Sequence, residues 1–176
     1  DIDGTEPGHS VLMLNAIELE IHSAEIDGQP ATFELDATTE RLTLSLTDAL
    51  NVGPHQVTIA FSGTINDKLR GFYRSSFTDV DGNEHVIGTT QMQSTDCRRA
   101  FPCWDEPDFK AAFGITLNVG PTDTAVSNSP EIERVHLENG LMAITFGDTM
   151  VMSTYLVAFV VGPLETTEWR DVNGIP

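Results

Sequence analysis

The stretch Ala16-Ile17-Glu18-Leu19-Glu20-Ile21 sets Ile17, Leu19 and Ile21 at alternate positions with Glu18 and Glu20 between them. Successive side chains of a strand point to opposite faces, so this reads as a strand with one buried and one wetted face. The same alternation recurs in Thr32-Phe33-Glu34-Leu35, Arg41-Leu42-Thr43-Leu44-Ser45-Leu46 and His55-Gln56-Val57-Thr58-Ile59-Ala60-Phe61. It returns in Gly71-Phe72-Tyr73-Arg74-Ser75-Ser76-Phe77, Phe113-Gly114-Ile115-Thr116-Leu117-Asn118-Val119 and Leu141-Met142-Ala143-Ile144-Thr145-Phe146. Tyr155-Leu156-Val157-Ala158-Phe159-Val160-Val161 is apolar throughout and reads as a strand buried on both faces. Asp27-Gly28, Asp81-Gly82 and Asn139-Gly140 are hairpin dipeptides between such runs. Asn51-Val52-Gly53-Pro54 and Val119-Gly120-Pro121-Thr122-Asp123 read as loops. Many short strands with frequent turns predict an all-β, antiparallel sandwich or barrel. Short helical turns are expected only near residues 97–100 and 106–109.

The chain has 176 residues, enough for a single domain with its own core. Lys and Arg total 9 against 27 Asp and Glu, a formal charge of −18. Such a surface repels phosphate backbones and anionic lipid, which excludes nucleic-acid and membrane-surface partners. A 40% hydrophobic content is too high for a disordered acidic tail. Residues 155–161 fall far short of the roughly 18 apolar residues of a membrane span. Two cysteines cannot make a disulfide scaffold, and with no visible targeting segment they point to a cytoplasmic protein. The opening Asp1-Ile2-Asp3-Gly4 lacks an initiator Met, as expected of a processed chain or a fragment. Trp169-Arg170-Asp171-Val172 reads as a strand entering a turn at Asn173-Gly174 with no return strand, so the natural protein is expected to continue beyond Pro176.

The least ordinary stretch is Thr89-Thr90-Gln91-Met92-Gln93-Ser94-Thr95-Asp96-Cys97-Arg98-Arg99-Ala100-Phe101-Pro102-Cys103-Trp104-Asp105-Glu106-Pro107. It starts as a strand and loses its alternation at Ser94. On a strand, Gln91 and Gln93 share a face opposite Met92, and two adjacent carboxamides can read a polar ligand; the plainer reading is a solvated strand end. Arg98 and Arg99 stand within reach of Asp96, Asp105 and Glu106. An ion-pair network fixing the loop is favoured there over an anion site. Cys97 and Cys103 have five residues between them, outside the usual zinc spacing of about two to four, and read as two buried thiols. The histidines form no spaced pair, and neither H-E-x-x-H, G-x-S-x-G nor a phosphate loop occurs. On motifs alone the chain is not an enzyme by itself.

Gly71-Phe72-Tyr73-Arg74-Ser75, Thr89-Thr90-Gln91-Met92-Gln93 and Ala100-Phe101-Pro102-Cys103-Trp104-Asp105-Glu106-Pro107, with Phe109-Lys110-Ala111 and Phe113, closely resemble the aminopeptidase N family of zinc exopeptidases. Leu14-Asn15-Ala16 and Met152-Ser153-Thr154-Tyr155-Leu156-Val157-Ala158-Phe159 agree in order and spacing, and the resemblance runs from about residue 12 to the end. It implies a saddle-shaped β-sandwich, the N-terminal domain of a longer metallo-aminopeptidase. It also implies that zinc, the H-E-x-x-H and G-x-M-E-N motifs and the catalytic groups lie in a downstream domain, with no metal or catalytic residue in this chain. The family's N-terminal domain lends one loop to the active site. By that position Gln93 accepts a hydrogen bond from the α-ammonium of a peptide substrate and Gln91 lines the pocket for its first side chain. Many members carry Glu at the Gln93 position, so a neutral amide here gives a weaker, dipolar contact. Arg98, Arg99, Asp105, Glu106 and Pro107 would structure the loop.

Two structural expectations follow from the resemblance. The Gln93–Ser94 peptide bond is expected to be cis. Only about ten residues precede the first family strand, so the first hairpin is expected to be missing and a sheet edge to lie open beside residues 12–21. Two rival readings remain. One is a non-catalytic β-sandwich binding module, which has no need of the two glutamines. The other is a calcium module on Asp79, Asp81 and Glu84, for which a solvated hairpin turn is the simpler account.

Overall fold

A computed structural model describes residues 2–4 and 6–167. The strand expected at residues 169–172 and the turn at 173–174 lie outside the described residues. Among the described residues seventeen strands pair in six small sheets, every strand pairing antiparallel, with two single-turn 3-10 helices at Cys97–Arg99 and Thr154–Leu156. The fold is all-β, as the alternation predicts. Among the described residues no helix is long and apolar enough to cross a membrane.

Two three-stranded sheets form the first sandwich. One orders Val11–Asn15, Arg41–Ser45 and Thr32–Asp36; the other orders Gln29–Pro30, Leu19–Ile26 and Val57–Gly63. Leu14, Leu42 and Leu44 of the first pack against Leu19, Ala24 and Ile26 of the second. The run at residues 16–21 is therefore not one strand. Glu18 turns left-handed (φ 58°), and the chain crosses from one sheet to the other there. A bulge between Ile21 and Ser23 then moves the buried positions from Leu19 to Ala24 and Ile26. Among the described strands Val11–Asn15 pairs with Arg41–Ser45 alone, but its last residue Asn15 also bridges Cys103; Val11 and Met13 are exposed, so of the edge expected open beside residues 12–21 the part before Asn15 is open. Ile2–Gly4, which no alternation marks, pairs with Gly53–His55, so Gly53 and Pro54 of the expected loop at residues 51–54 lie in a strand.

The second half packs Thr116–Val119, Met142–Phe146 and Glu131–His136 against a four-stranded sheet ordered Thr124–Ser127, Phe159–Gly162, Glu84–Gln91 and Gly71–Thr78. Val119, Ala125, Met142, Ile144 and Phe146 form its core. The run at residues 155–161 departs from the expected double-buried strand: Thr154–Leu156 coils into a 3-10 turn and only Phe159–Gly162 pairs. The cause is Asn128. Its Nδ2 donates to the Leu156 carbonyl (2.8 Å) and its Oδ1 accepts from the Ala158 amide (2.7 Å), satisfying backbone groups that a ladder would otherwise use.

The three hairpin dipeptides sit in turns. At Asp27-Gly28 both residues have positive φ (52° and 74°), the type I′ arrangement that suits the strand twist. Aspartates tie down two of these turns and the one at residues 36–39. Asp27 accepts from the Gln56 amide (2.8 Å) and from His55 Nδ1 (2.7 Å), and His55 Nε2 donates to the Asn51 carbonyl (2.8 Å). Asp79 accepts from the amides of Asp81 and Asn83, from Asn83 Nδ2 and from His85 Nε2. Asp36 accepts from the Thr38 amide and the Thr39 hydroxyl.

These donors favour the ionised carboxylates. The Gln56 amide and His55 lower Asp27, Thr39 and the Thr38 amide lower Asp36, and His85 with Asn83 lowers Asp79 most. A carboxylate whose folded pKa lies below its unfolded value stabilises above the unfolded value and loses that contribution as pH falls through the folded one. Stability is expected to hold near neutral pH and to fall as pH drops below about 4. Thermal melts across pH 2–7 check this; Asp79→Asn should flatten the acid limb, and an unchanged limb would contradict the assignment.

Candidate functional site

Glu84–Gln91 runs antiparallel to Gly71–Thr78 and ends with Gln91 opposite Gly71. Strand parity carries one residue further: Met92 is buried while Gln91 and Gln93 on either side are exposed. The two glutamines face the same way, with Gln91 Nε2 3.5 Å from the Gln93 carbonyl at the limit of a hydrogen bond. The Gln93–Ser94 peptide bond is cis, as the resemblance leads one to expect. The chain then folds back, with the Asp96 amide donating to the Met92 carbonyl (2.9 Å) and the Ala100 amide to the Cys97 carbonyl (2.8 Å). Met92, Cys97 and Cys103 form a small core beneath this loop, with Ala100, Phe101 and Phe159 around them. Gly71 permits the close approach: its φ is +67°, and a Cβ there would lie 2.8 Å from Arg99 Cβ.

The arginines anchor the loop from behind. Asp105, 2% exposed, accepts on Oδ2 from Arg98 Nε (3.0 Å) and the Arg98 amide (3.3 Å), and on Oδ1 from the Thr154 hydroxyl (2.8 Å). Its own amide donates to Asn15 Oδ1 (3.1 Å). Arg98 Nη1 continues to Glu40 Oε2 (2.9 Å). Arg99 Nε donates to Asp96 Oδ1 (2.8 Å), and Arg99 Nη1 forms an ion pair with Glu18 Oε1 at 3.0 Å. The approach to Glu18 has ion-pair distance without hydrogen-bond alignment, which leaves Nη1 without a hydrogen bond. Burial opposes the charge on both arginines, but their carboxylate partners outweigh it and hold both guanidiniums above their ordinary value. The adjacent arginines are thus committed inside the protein, as the ion-pair reading holds.

One of the three expected acidic partners differs from the local expectation. Glu106 is exposed, and its carboxylate has no hydrogen-bond or ion-pair partner among the described residues; it enters the turn only through its carbonyl, which accepts from the Phe109 amide (3.1 Å). Residues 106–109 accordingly make one hydrogen-bonded turn and no helix. Pro107 contributes its carbonyl to the Ser153 hydroxyl (2.7 Å). Glu40 and Glu18 take the place foreseen for Glu106. Both lie far away in sequence, beyond any local spacing signal, and Glu40 accepts the Ala16 amide on its carbonyl (3.1 Å) besides.

Metal chemistry is poorly served here. Among the described residues, Cys97, Cys103 and Asp105 are the one group of three donors within 4.8 Å of one another. A catalytic zinc needs deprotonated ligands and an open position. Both Asp105 oxygens already accept hydrogen bonds, and the neighbouring Cys103 thiol, burial and the Asp105 charge all push the Cys97 thiol up. These residues do not fit a catalytic zinc. At the hairpin tip, both Asp79 oxygens are taken by the turn's own donors, which is the solvated-turn reading of that cluster.

A family model described as the peptidase M1 N-terminal domain matches residues 5–156. Aminopeptidase M1-A of Oryza sativa subsp. japonica is 42% identical over 183 aligned positions, covering 98% of this chain. Aminopeptidase 2 of Candida albicans is 44% identical over 155 positions, 87% of the chain, and the alanine/arginine aminopeptidase of Saccharomyces cerevisiae is 40% identical over 167 positions, 91% of the chain. The chain spans only 20%, 17% and 19% of the length of these three relatives.

The loop's anchor sets a stability contrast. Removing one partner of a buried ion pair leaves the other charge uncompensated, so Asp105→Asn should destabilise by about 3–5 kcal/mol. Glu106→Gln, one residue away and solvated, should stay within about 0.5 kcal/mol. Urea unfolding of both variants decides the matter; equal effects would remove Asp105 from its central place.

Proposed function

The chain belongs to the peptidase M1 N-terminal domain family, and we propose that it is the substrate-recognising N-terminal domain of a zinc-dependent aminopeptidase. In this reading the domain meets the amino end of a peptide through Gln91 and Gln93. The zinc and the groups that activate water belong to a catalytic domain elsewhere in the longer protein, and the 176-residue chain hydrolyses nothing by itself. The supporting observation is the exposed pair of carboxamides held on a rigid base. Gln91 and Gln93 flank buried Met92, and the loop that follows is pinned by Arg98, Arg99 and Asp105. An exposed carboxamide oxygen suits an ammonium donor, and pre-positioning it reduces the ordering cost of binding.

The partners follow from the same reading: a peptide N-terminus and the catalytic domain of the same protein, with no nucleic acid and no membrane. A cytoplasmic location belongs to the proposal too, supported by two free, buried thiols.

A hydrogen bond to a charged group is worth about 1.5–3 kcal/mol. In the full-length enzyme Gln93→Ala should therefore lower kcat/KM on free-amine peptides by roughly ten- to a hundredfold. Gln91→Ala should change the relative rates on substrates with different first side chains. An unchanged kcat/KM in the Gln93 variant would overturn the recognition role, and hydrolysis by the isolated chain would overturn its inactivity alone.

A further inference from the structure

Two sulfurs have no part in the peptide-recognition reading. Cys97, fully buried, opens the 3-10 turn, and Cys103 lies below it in the same small core, 7% exposed. Both are free thiols whose Sγ atoms lie within 4.8 Å of one another. A disulfide is about 2.05 Å long, so bond formation requires the two sulfurs to close by less than about 3 Å. The two cysteines are not equivalent. Cys97 is enclosed, and Cys103, burial and Asp105 push its thiol up, so it keeps its proton until the second step below, where the departing hydroxyl takes it. Cys103 lines a cavity of about 710 Å³ whose wall also includes Phe101, Trp104, Phe109, Lys110 and Thr154. A small neutral oxidant has a route to Cys103 and none of comparable width to Cys97.

We infer that Cys97 and Cys103 are a reversible dithiol–disulfide pair, oxidised by hydrogen peroxide that enters through the cavity at Cys103. The Cys103 sulfur attacks one peroxide oxygen. The O–O bond breaks and an S–O bond forms, while the Cys103 S–H bond breaks and its proton goes to the departing hydroxide, which leaves as water, giving a sulfenic acid. The Cys97 sulfur then attacks the Cys103 sulfur. The S–S bond forms, the S–O bond breaks, and the hydroxyl departs as a second water with the Cys97 proton. Two thiols lose two hydrogens and two electrons, and the peroxide is reduced to two waters. A reducing dithiol reverses the reaction. The bond ties the 3-10 turn Cys97–Arg99 to the point where Cys103 exchanges backbone hydrogen bonds with Asn15 (2.7 and 3.1 Å). Met92 packs on both sulfurs' side chains, so oxidation stiffens the base from which Gln91 and Gln93 project. The inference itself does not depend on what those glutamines bind.

The test exposes the full chain to hydrogen peroxide, denatures it, alkylates the remaining thiols and maps the peptides without reductant. The expected result is that both thiols vanish together, a peptide linking Cys97 to Cys103 appears, and dithiothreitol restores both. Amide exchange over residues 94–100 should slow about tenfold or more in the oxidised chain. With Cys97→Ala, a dimedone adduct should collect on Cys103 and no linked peptide should form. Two thiols that stay alkylatable, Cys103 driven to the sulfinic acid with Cys97 untouched, or linkage only between separate chains would each overturn the proposal. The wild-type measurement stands even if the variant fails to fold.

Discussion

A carboxylate with almost no contact with water is costly unless every oxygen finds a donor, and Asp105 is such a group. Its carboxylate accepts from Arg98 on the 3-10 turn and Thr154 on the second 3-10 turn, and its backbone amide donates to Asn15 at the end of the first long strand, so one residue draws together segments far apart in sequence. Arg98 passes the charge on to Glu40 at the start of Arg41–Ser45. In a chain with 9 basic residues against 27 acidic ones, placing two adjacent arginines here is a large commitment. Such a node is poorly explained as a source of net stability, since buried pairs often add little of it. Its role is geometric: the contacts of Asp105 and Arg98 bring these four segments to one point.

That arrangement decides what the loop after Glu84–Gln91 can do. The strand delivers Gln91 and Gln93 to one face because parity puts Met92 on the other, and Met92 is anchored in the small core with Cys97 and Cys103. Arg99, held by Asp96, closes the loop from the side and packs against Gly71, where only a missing Cβ allows the strand so near. The exposed carboxamides therefore rest on two layers, an apolar one directly beneath and an ionic one behind it. The peptide recognition proposed for the domain asks for this kind of presentation.

Much of this was legible in the sequence, and what was not has identifiable causes. Leu42 and Leu44 were assigned to the core by alternation alone, and both are fully buried. The Asp-Gly and Asn-Gly dipeptides fall in turns because their left-handed residues are chemically marked. Gln91 and Gln93 shared a face by counting. The failures came where a distant partner decides. Glu18 and Glu40 carry no local sign that they will meet Arg99 and Arg98, whereas Glu106, adjacent in sequence, looked a better partner and points to water. The apolar run after Thr154 looks like a strand until Asn128 takes its backbone groups. The bulge after Ile21 shifts the buried face by one residue, which no composition rule announces.

The central claim is that one carboxylate, Asp105, holds these segments as a unit. Residue-resolved amide hydrogen exchange on the wild-type chain and on Asp105→Asn tests it most directly. The account predicts that the amides of Asn15, Ile17, Arg99, Ala100 and Val157, which lie in three separate segments, accelerate together in the variant by a similar factor. Acceleration confined to residues next to position 105, with the other segments unchanged, would contradict it.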